Sequence, residues 1–135
     1  EQLRVRRFLR SGETAGFVSW GGSISFDRDT NWHLDYTTPP TAGKVDLYSV
    51  AVHELAHSLG FGTATEWTAL ISGSNFNGNA AKARYGGPVP LAAGGGHFQE
   101  GLGSTVYGGT ASQSSIMTPG IAPGIRMPPL STTGR

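Results

Sequence analysis

The sequence predicts an α+β fold: a small twisted sheet over one central helix, followed by an irregular C-terminal half. Three observations predict it. Short runs with strand-like content occupy residues 3–10, 15–20 and 23–26. Residues 46–60 carry one capped, Ala- and Leu-bearing helical segment. Residues 72–115 are rich in Gly, Asn, Ser and Thr and show no clean period. A chain of 135 residues fits a single domain, 1–135. Gly is 21 of those residues, well above the usual share of about 7%, and it is not periodic. Such a composition implies much turn and loop for each regular element.

In chain order, Ser11-Gly12-Glu13 parts the first two runs, and the expected sheet is antiparallel or mixed. Ile24 and Phe26 alternate with Ser23 and Ser25, the period of a strand with one buried face. Asp27 to Asn31 reads as a turn, Trp32, Leu34 and Tyr36 as apolar anchors, and 37–43 with its Pro pair as loop. In the central helix, Asp46 can cap the first turn and Val45 can pack on Val50. Gly60 ends it where a left-handed residue is easiest. At about 100° per residue, His53, Glu54 and His57 share one arc, with Tyr48, Val52, Leu55 and Leu59 opposite. Both faces are therefore expected to be covered. A second short helix is expected from Glu66 to about Ile71, and the tail from Pro119 carries only weak signals.

The net charge of +1 excludes a nucleic-acid footprint. The N-terminal basic run of Arg4, Arg6, Arg7 and Arg10 is read as a solvated strand face. With no Cys, disulfides and thiolate metal sites are excluded, so any metal must use His, Asp or Glu. No apolar stretch approaches the length of a membrane span.

His53-Glu54-Leu55-Ala56-His57 is a His-Glu-x-x-His pattern inside the helix. Residues four apart stack on one face, so both imidazoles can reach one tetrahedral ion. Glu54, on the same face, can take a proton from zinc-activated water and pass it to a leaving amine. A buried Glu between two buried His is costly in an ordinary core; metal ligation gives the arrangement a reason. The chain holds four His, and the other two are His33 and His97.

The longer run His53-Glu54-Leu55-Ala56-His57-Ser58-Leu59-Gly60 resembles the extended motif of metzincins, the clan of matrixins, astacins and leishmanolysins. In most of these a His three residues past the Gly is the third ligand, but here that position is Thr63. Gly94-Gly95-Gly96-His97-Phe98 resembles the leishmanolysin branch, where an insertion separates the Gly from the third His. The resemblance implies His53, His57 and His97 as ligands of one catalytic Zn2+, Glu54 as the catalytic residue, and residues 61–96 as insertion. His33 and Glu100 stand as alternative third ligands. Ser115-Ile116-Met117-Thr118-Pro119 resembles the Met-turn, which would place Met117 beneath the three His. Tyr107 is a candidate substrate contact.

Gly21-Gly22-Ser23-Ile24-Ser25-Phe26-Asp27, followed by Trp32, resembles the matrixin segment leading into that helix. Ser25 stands where matrixins have a His for a second, structural zinc, so one zinc is expected. Asp27 matches a calcium-ligand position, with Ser23 and Thr30 in place of partnering acids; the competing reading is a turn-forming aspartate. Metzincins usually start with a strand and a long backing helix. No such helix is read before residue 15, which leaves open that 1–135 is the C-terminal portion of a longer catalytic domain.

The resemblance thus implies a zinc metalloendopeptidase hydrolysing internal bonds of protein substrates held extended along an edge strand at 14–20, and the expected setting is secreted or extracellular, in a bacterium. A removed pro-segment or flanking domains would accompany it. The alternative is a catalytically weak or inactive zinc- or peptide-binding module of the same fold.

Overall fold

Asp46 is where the fold is pinned. It ends a two-residue strand and caps the helix that follows, and it is completely buried. The computed structural model describes residues 6–9, 19–105 and 112–127, with the backbone alone for 6–9, 19–21, 105 and 112. The α+β class is as expected, but the sheet is divided. Among the described residues, β1 (Arg6–Leu9) pairs antiparallel with β2 (Ser19–Ser23), and β3 (Trp32–His33) pairs parallel with β4 (Val45–Asp46). The central helix α1 (Leu47–Ser58) follows directly, and β2 runs beside it.

After α1 come α2 (Thr65–Thr68), β5 (Ile71–Ser72), β6 (Asn75–Phe76), α3 (Asn79–Tyr85) and β7 (Val89–Pro90). The three strands form an antiparallel sheet in the order β5-β6-β7. A hairpin of β8 (Gly103–Thr105) and β9 (Ser112–Ser114) precedes the last described stretch. The region expected to be irregular therefore contains a sheet, a helix and a hairpin. Its strands are two or three residues long, too short to leave a period in the sequence.

Several expectations are corrected. Residues 24–26 are not a strand; Phe26 is partly exposed and meets Trp32 edge to face. Leu34 and Tyr36 are exposed and anchor nothing. Tyr48, Leu55 and Leu59 are also exposed, Leu59 at 72%, whereas Ser49, His53, His57 and Ser58 are the buried residues of α1. The polar side of the helix faces inward because its hydrogen-bond partners lie there. The basic run and the edge strand at 14–20 fall largely outside the described residues, as does Tyr107.

Two small apolar cores lie among the described residues, and the second takes in Val52 and Ala56 of α1. Phe76, Val89 and Leu91 form one, with Trp67, Ile71, Ala81, Phe98 and Leu102 against it. Ile116, Met117 and Met127 form the other, with Val52, Ala56, Phe61, Phe98 and Ile121. Phe98 belongs to both and joins them.

The Asp46 carboxylate accepts from the Ser49 amide (3.1 Å), the Ser49 hydroxyl (2.7 Å) and the Arg126 guanidinium (2.7 Å to Nη2). Arg126 also donates to the carbonyls of Asp35 and Tyr36, and the Ser49 hydroxyl accepts from the Met127 amide at 2.7 Å. One buried carboxylate thus ties the loop after β3, the start of α1 and the C-terminal stretch together. Burial is the largest influence on its pKa and raises it. Hydrogen bonds from Arg126 and Ser49, with the guanidinium charge, outweigh burial and hold it below the usual range.

Taking the cation from a buried pair costs about 3–5 kcal/mol. Arg126→Met is expected to fall near the lower end, a loss of about 3 kcal/mol in urea unfolding, because its own side chain is partly exposed. A loss under about 0.5 kcal/mol, the range of neutral surface changes, would reject the clamp. Since the folded carboxyl sits below its unfolded value of about 3.9, this stabilisation is present above that pH and is lost as pH falls through the lower folded value.

Candidate metal centre

Within α1, His53 and His57 lie one turn apart on the buried side. His97 arrives from the segment after Gly94-Gly95-Gly96, and its Nε2 stands 3.2 Å from that of His53 and 3.0 Å from that of His57. The two helical Nε2 atoms are 3.0 Å apart. These three side chains are the one His/Asp/Glu group among the described residues arranged to hold an ion.

The hydrogen bonds fix what those nitrogens carry. His53 Nδ1 lies 2.6 Å from the carbonyl of Ile116, and His57 Nδ1 lies 2.8 Å from that of Phe61. A carbonyl can only accept, so each Nδ1 carries the proton, and the neutral form of either ring turns a bare lone pair at Nε2 toward the centre. Burial, chiefly, holds His53 below the ordinary imidazole range, and His57 adds to this while the Ile116 carbonyl opposes it. His97 is pushed down to about 4, by burial first and then by His57 and His53. Convergent acceptors repel one another unless a cation sits between them. Four-coordinate zinc with bonds of about 2.0–2.1 Å needs nitrogens about 3.3–3.4 Å apart. The observed triangle is slightly tighter, so the donor set fits such an ion.

Glu54 follows His53 on α1 and is half-buried. Burial raises its carboxyl above the usual range, against a smaller lowering by His57. Met117 is buried in the turn after β9, whose Thr118 amide bonds back to Ser115 at 3.1 Å. That turn supplies the Ile116 carbonyl to His53, and its Met117 carbonyl accepts from the Phe98 amide at 2.9 Å.

The alternative ligands lie elsewhere. His33 on β3 is buried with its Nε2 at the Thr38 carbonyl, 3.1 Å away, and Glu100 is exposed and outside the group. Thr63 donates from its hydroxyl to the His57 carbonyl at 2.7 Å, closing the end of α1. Asp27 accepts from the Asp29 amide and the Thr30 hydroxyl, which is the bonding of a turn-forming aspartate. Sequence reasoning missed the two orienting carbonyls. Main-chain atoms leave no residue-type signal. It also missed the meeting of Gly62 with Gly96, although glycines at both places are a hint of close approach.

An α+β domain with three convergent imidazoles, two of them from a His-Glu-x-x-His helix, has the build of a zinc-peptidase domain. The sequence profile of the matrixin family matches residues 12–82, just over half of the chain, and the chain belongs to that family. The match includes His53, Glu54 and His57 and ends before His97. The chain is 41% identical to interstitial collagenase of Oryctolagus cuniculus over 51 residues, covering 38% of this chain and 10% of that protein. It is 39% identical to metalloendoproteinase 1 of Glycine max over 57 residues, covering 41% of this chain and 19% of that protein. The chain thus spans from about a tenth to about a fifth of the length of these relatives. No solved structure matches it. Among the described residues no helix is long and apolar enough to cross a membrane.

His97→Ala is expected to weaken zinc binding by more than about 100-fold, beyond the 10–100-fold usual for an outer-shell partner, in competition titrations with a chromophoric chelator. Equal binding in the variant would move the third ligand away from His97. The lowered imidazoles give a second expectation. Unfolded histidines titrate near 6.5, so the unfolded chain takes up protons that the metal-free folded site refuses. Stability of the metal-free protein should therefore fall as pH drops from about 6.5 toward 4, with a shallower fall in His97→Ala. Parallel melting-temperature profiles of the two proteins would contradict this.

Proposed function

We propose that this chain is the catalytic part of a secreted zinc metalloendopeptidase that hydrolyses internal peptide bonds, with His53, His57 and His97 as zinc ligands and Glu54 as general base. The convergence of three imidazole Nε2 atoms, each 3.0–3.2 Å from the other two, carries this reading. Membership of the matrixin family supports it, and the curated relatives named above include a collagenase and a metalloendoproteinase. Bound zinc would supply Lewis-acid polarisation of a carbonyl and acidify water in contact with it.

The chain's own groups do the rest. Glu54 takes a proton from the attacking water as oxygen adds to the carbonyl carbon. It returns that proton to the amide nitrogen as the carbon–nitrogen bond breaks. Its raised pKa makes it the stronger base for the first transfer. The Ile116 and Phe61 carbonyls keep the helical imidazoles in the ligand tautomer throughout. An extended protein segment is the substrate in this reading, and a removed pro-segment or flanking domains would belong to the full-length protein.

A second reading, zinc or peptide binding without turnover, draws on the family match ending at residue 82, short of His97. Glu54→Gln separates the two. General-base loss is expected to cut hydrolysis of a generic protein substrate such as casein by about 100- to 10,000-fold, with zinc content per chain unchanged. No casein turnover by the zinc-loaded parent would favour the binding module, and undiminished turnover in the variant would remove Glu54 from the mechanism.

A further inference from the structure

Two of the three imidazoles are aimed by carbonyls, and the third is not. His97 has no such acceptor at Nδ1 among the described residues, so its aim depends on how its backbone is held. Three contacts hold it. The His97 carbonyl accepts from the Ala92 amide at 3.0 Å, and the next amide, Phe98, donates to the Met117 carbonyl at 2.9 Å. On the other side, the Trp67 indole N–H donates to the Gly95 carbonyl at 2.9 Å, two residues before the ligand. Gly62 closes the same place: a Cβ built on it would come within 2.1 Å of the Gly96 carbonyl oxygen, and its φ is +69°. Only glycine fits there. The chain therefore departs from α1 at Gly62 and returns beside it at Gly96, one residue before His97.

The Trp67 ring is itself fixed. It stacks on Phe76 (3.8 Å between centroids, 13° between planes) and lies 4.1 Å from Phe61. Phe61 supplies the carbonyl that orients His57. The aromatic stack therefore runs from the core of the 61–96 segment to the backbone of both sides of the metal centre.

We propose that Trp67 is a positioning residue for the third metal ligand. Through its N–H it locks the Gly94-Gly95-Gly96 turn so that His97 presents Nε2 to the helical pair before any ion arrives. The inference rests on the three-histidine reading of the site and goes beyond it, assigning a function in metal affinity to a tryptophan 30 residues away in sequence.

The test is a double-mutant cycle read in zinc affinity, which does not depend on peptidase turnover. Trp67→Phe keeps an aromatic ring and removes the N–H. It is expected to weaken zinc binding about tenfold, the lower end of the range for outer-shell partners, and to alter the visible bands of the cobalt(II)-substituted protein. In a His97→Ala background the same change should have no further effect on zinc affinity, because the ligand it positions is gone. Placing benzothienylalanine at 67, which exchanges N–H for sulfur at nearly constant shape, should reproduce the loss and covers the case of a phenylalanine variant that does not fold. An affinity within twofold of the parent in the folded variant overturns the proposal, as does an equal loss with and without His97, which would mark Trp67 as a general core residue. If His97→Ala alone leaves zinc affinity unchanged, the three-histidine reading falls first and this inference with it.

Discussion

The Nε2 lone pairs that neutral His53 and His57 turn toward one another, 3.0 Å apart, raise the energy of the folded chain. Nothing in their own chemistry keeps them there. Neutral rings avoid the worse repulsion of charged ones, and burial favours the neutral form of His53 and His97. The repulsion that remains must be opposed by the surrounding structure until a cation reverses its sign. Much of the fold can be understood as that opposition. The Ile116 and Phe61 carbonyls stop the helical imidazoles from rotating away, and the bonds around residues 92–98 stop His97 from retreating.

The helix that carries two of the three convergent histidines is held at both ends. At the start, Asp46 and Arg126 join it to chain segments 80 residues apart. At the end, Thr63 bonds the His57 carbonyl, and Gly60, with φ of 108°, turns the chain toward Phe61. Between those ends, among the described residues, its Val52 and Ala56 pack on one small core and β2 runs beside it. Phe98, shared by both cores and bonded to the turn bearing Met117, makes them act as a single support. On the exposed side of α1, Leu55 and Leu59 face outward, while the Tyr48 ring lies under the Arg126 guanidinium at 5.8 Å.

How much of this could be read from residues alone follows from the range of each interaction. The Asp46 cap, the helix and the spacing of His53, Glu54 and His57 are local, and local rules give them. His97 could be nominated because only four His exist and a glycine run precedes it. Its arrival at the helix depends on Gly62 meeting Gly96, a contact across 34 positions that no periodicity records. The apolar side of α1 was misjudged for a related reason. Periodicity shows that a helix has two faces, but tertiary partners decide which turns inward, and here hydrogen bonding and the imidazoles decided it. The short strands β5 to β9 lie below the length at which alternation can be seen. Arg126 is one of several arginines in the sequence, and only the fold singles it out.

The closure of Gly62 on Gly96 also separates two distances that are usually linked. Along the chain, His57 and His97 are far apart; in space, their spacing is set at the base of the intervening segment, whatever its length. A flexible loop whose ends are already joined costs only about 0.6 kcal/mol more for each doubling of its length. The outward face of α3, which buries none of its residues although Ala81 packs on the first core, can therefore change its surface while the three histidines stay in place. Evolution and protein engineering are both given a surface beside the three histidines where new recognition features can be added without rebuilding their arrangement.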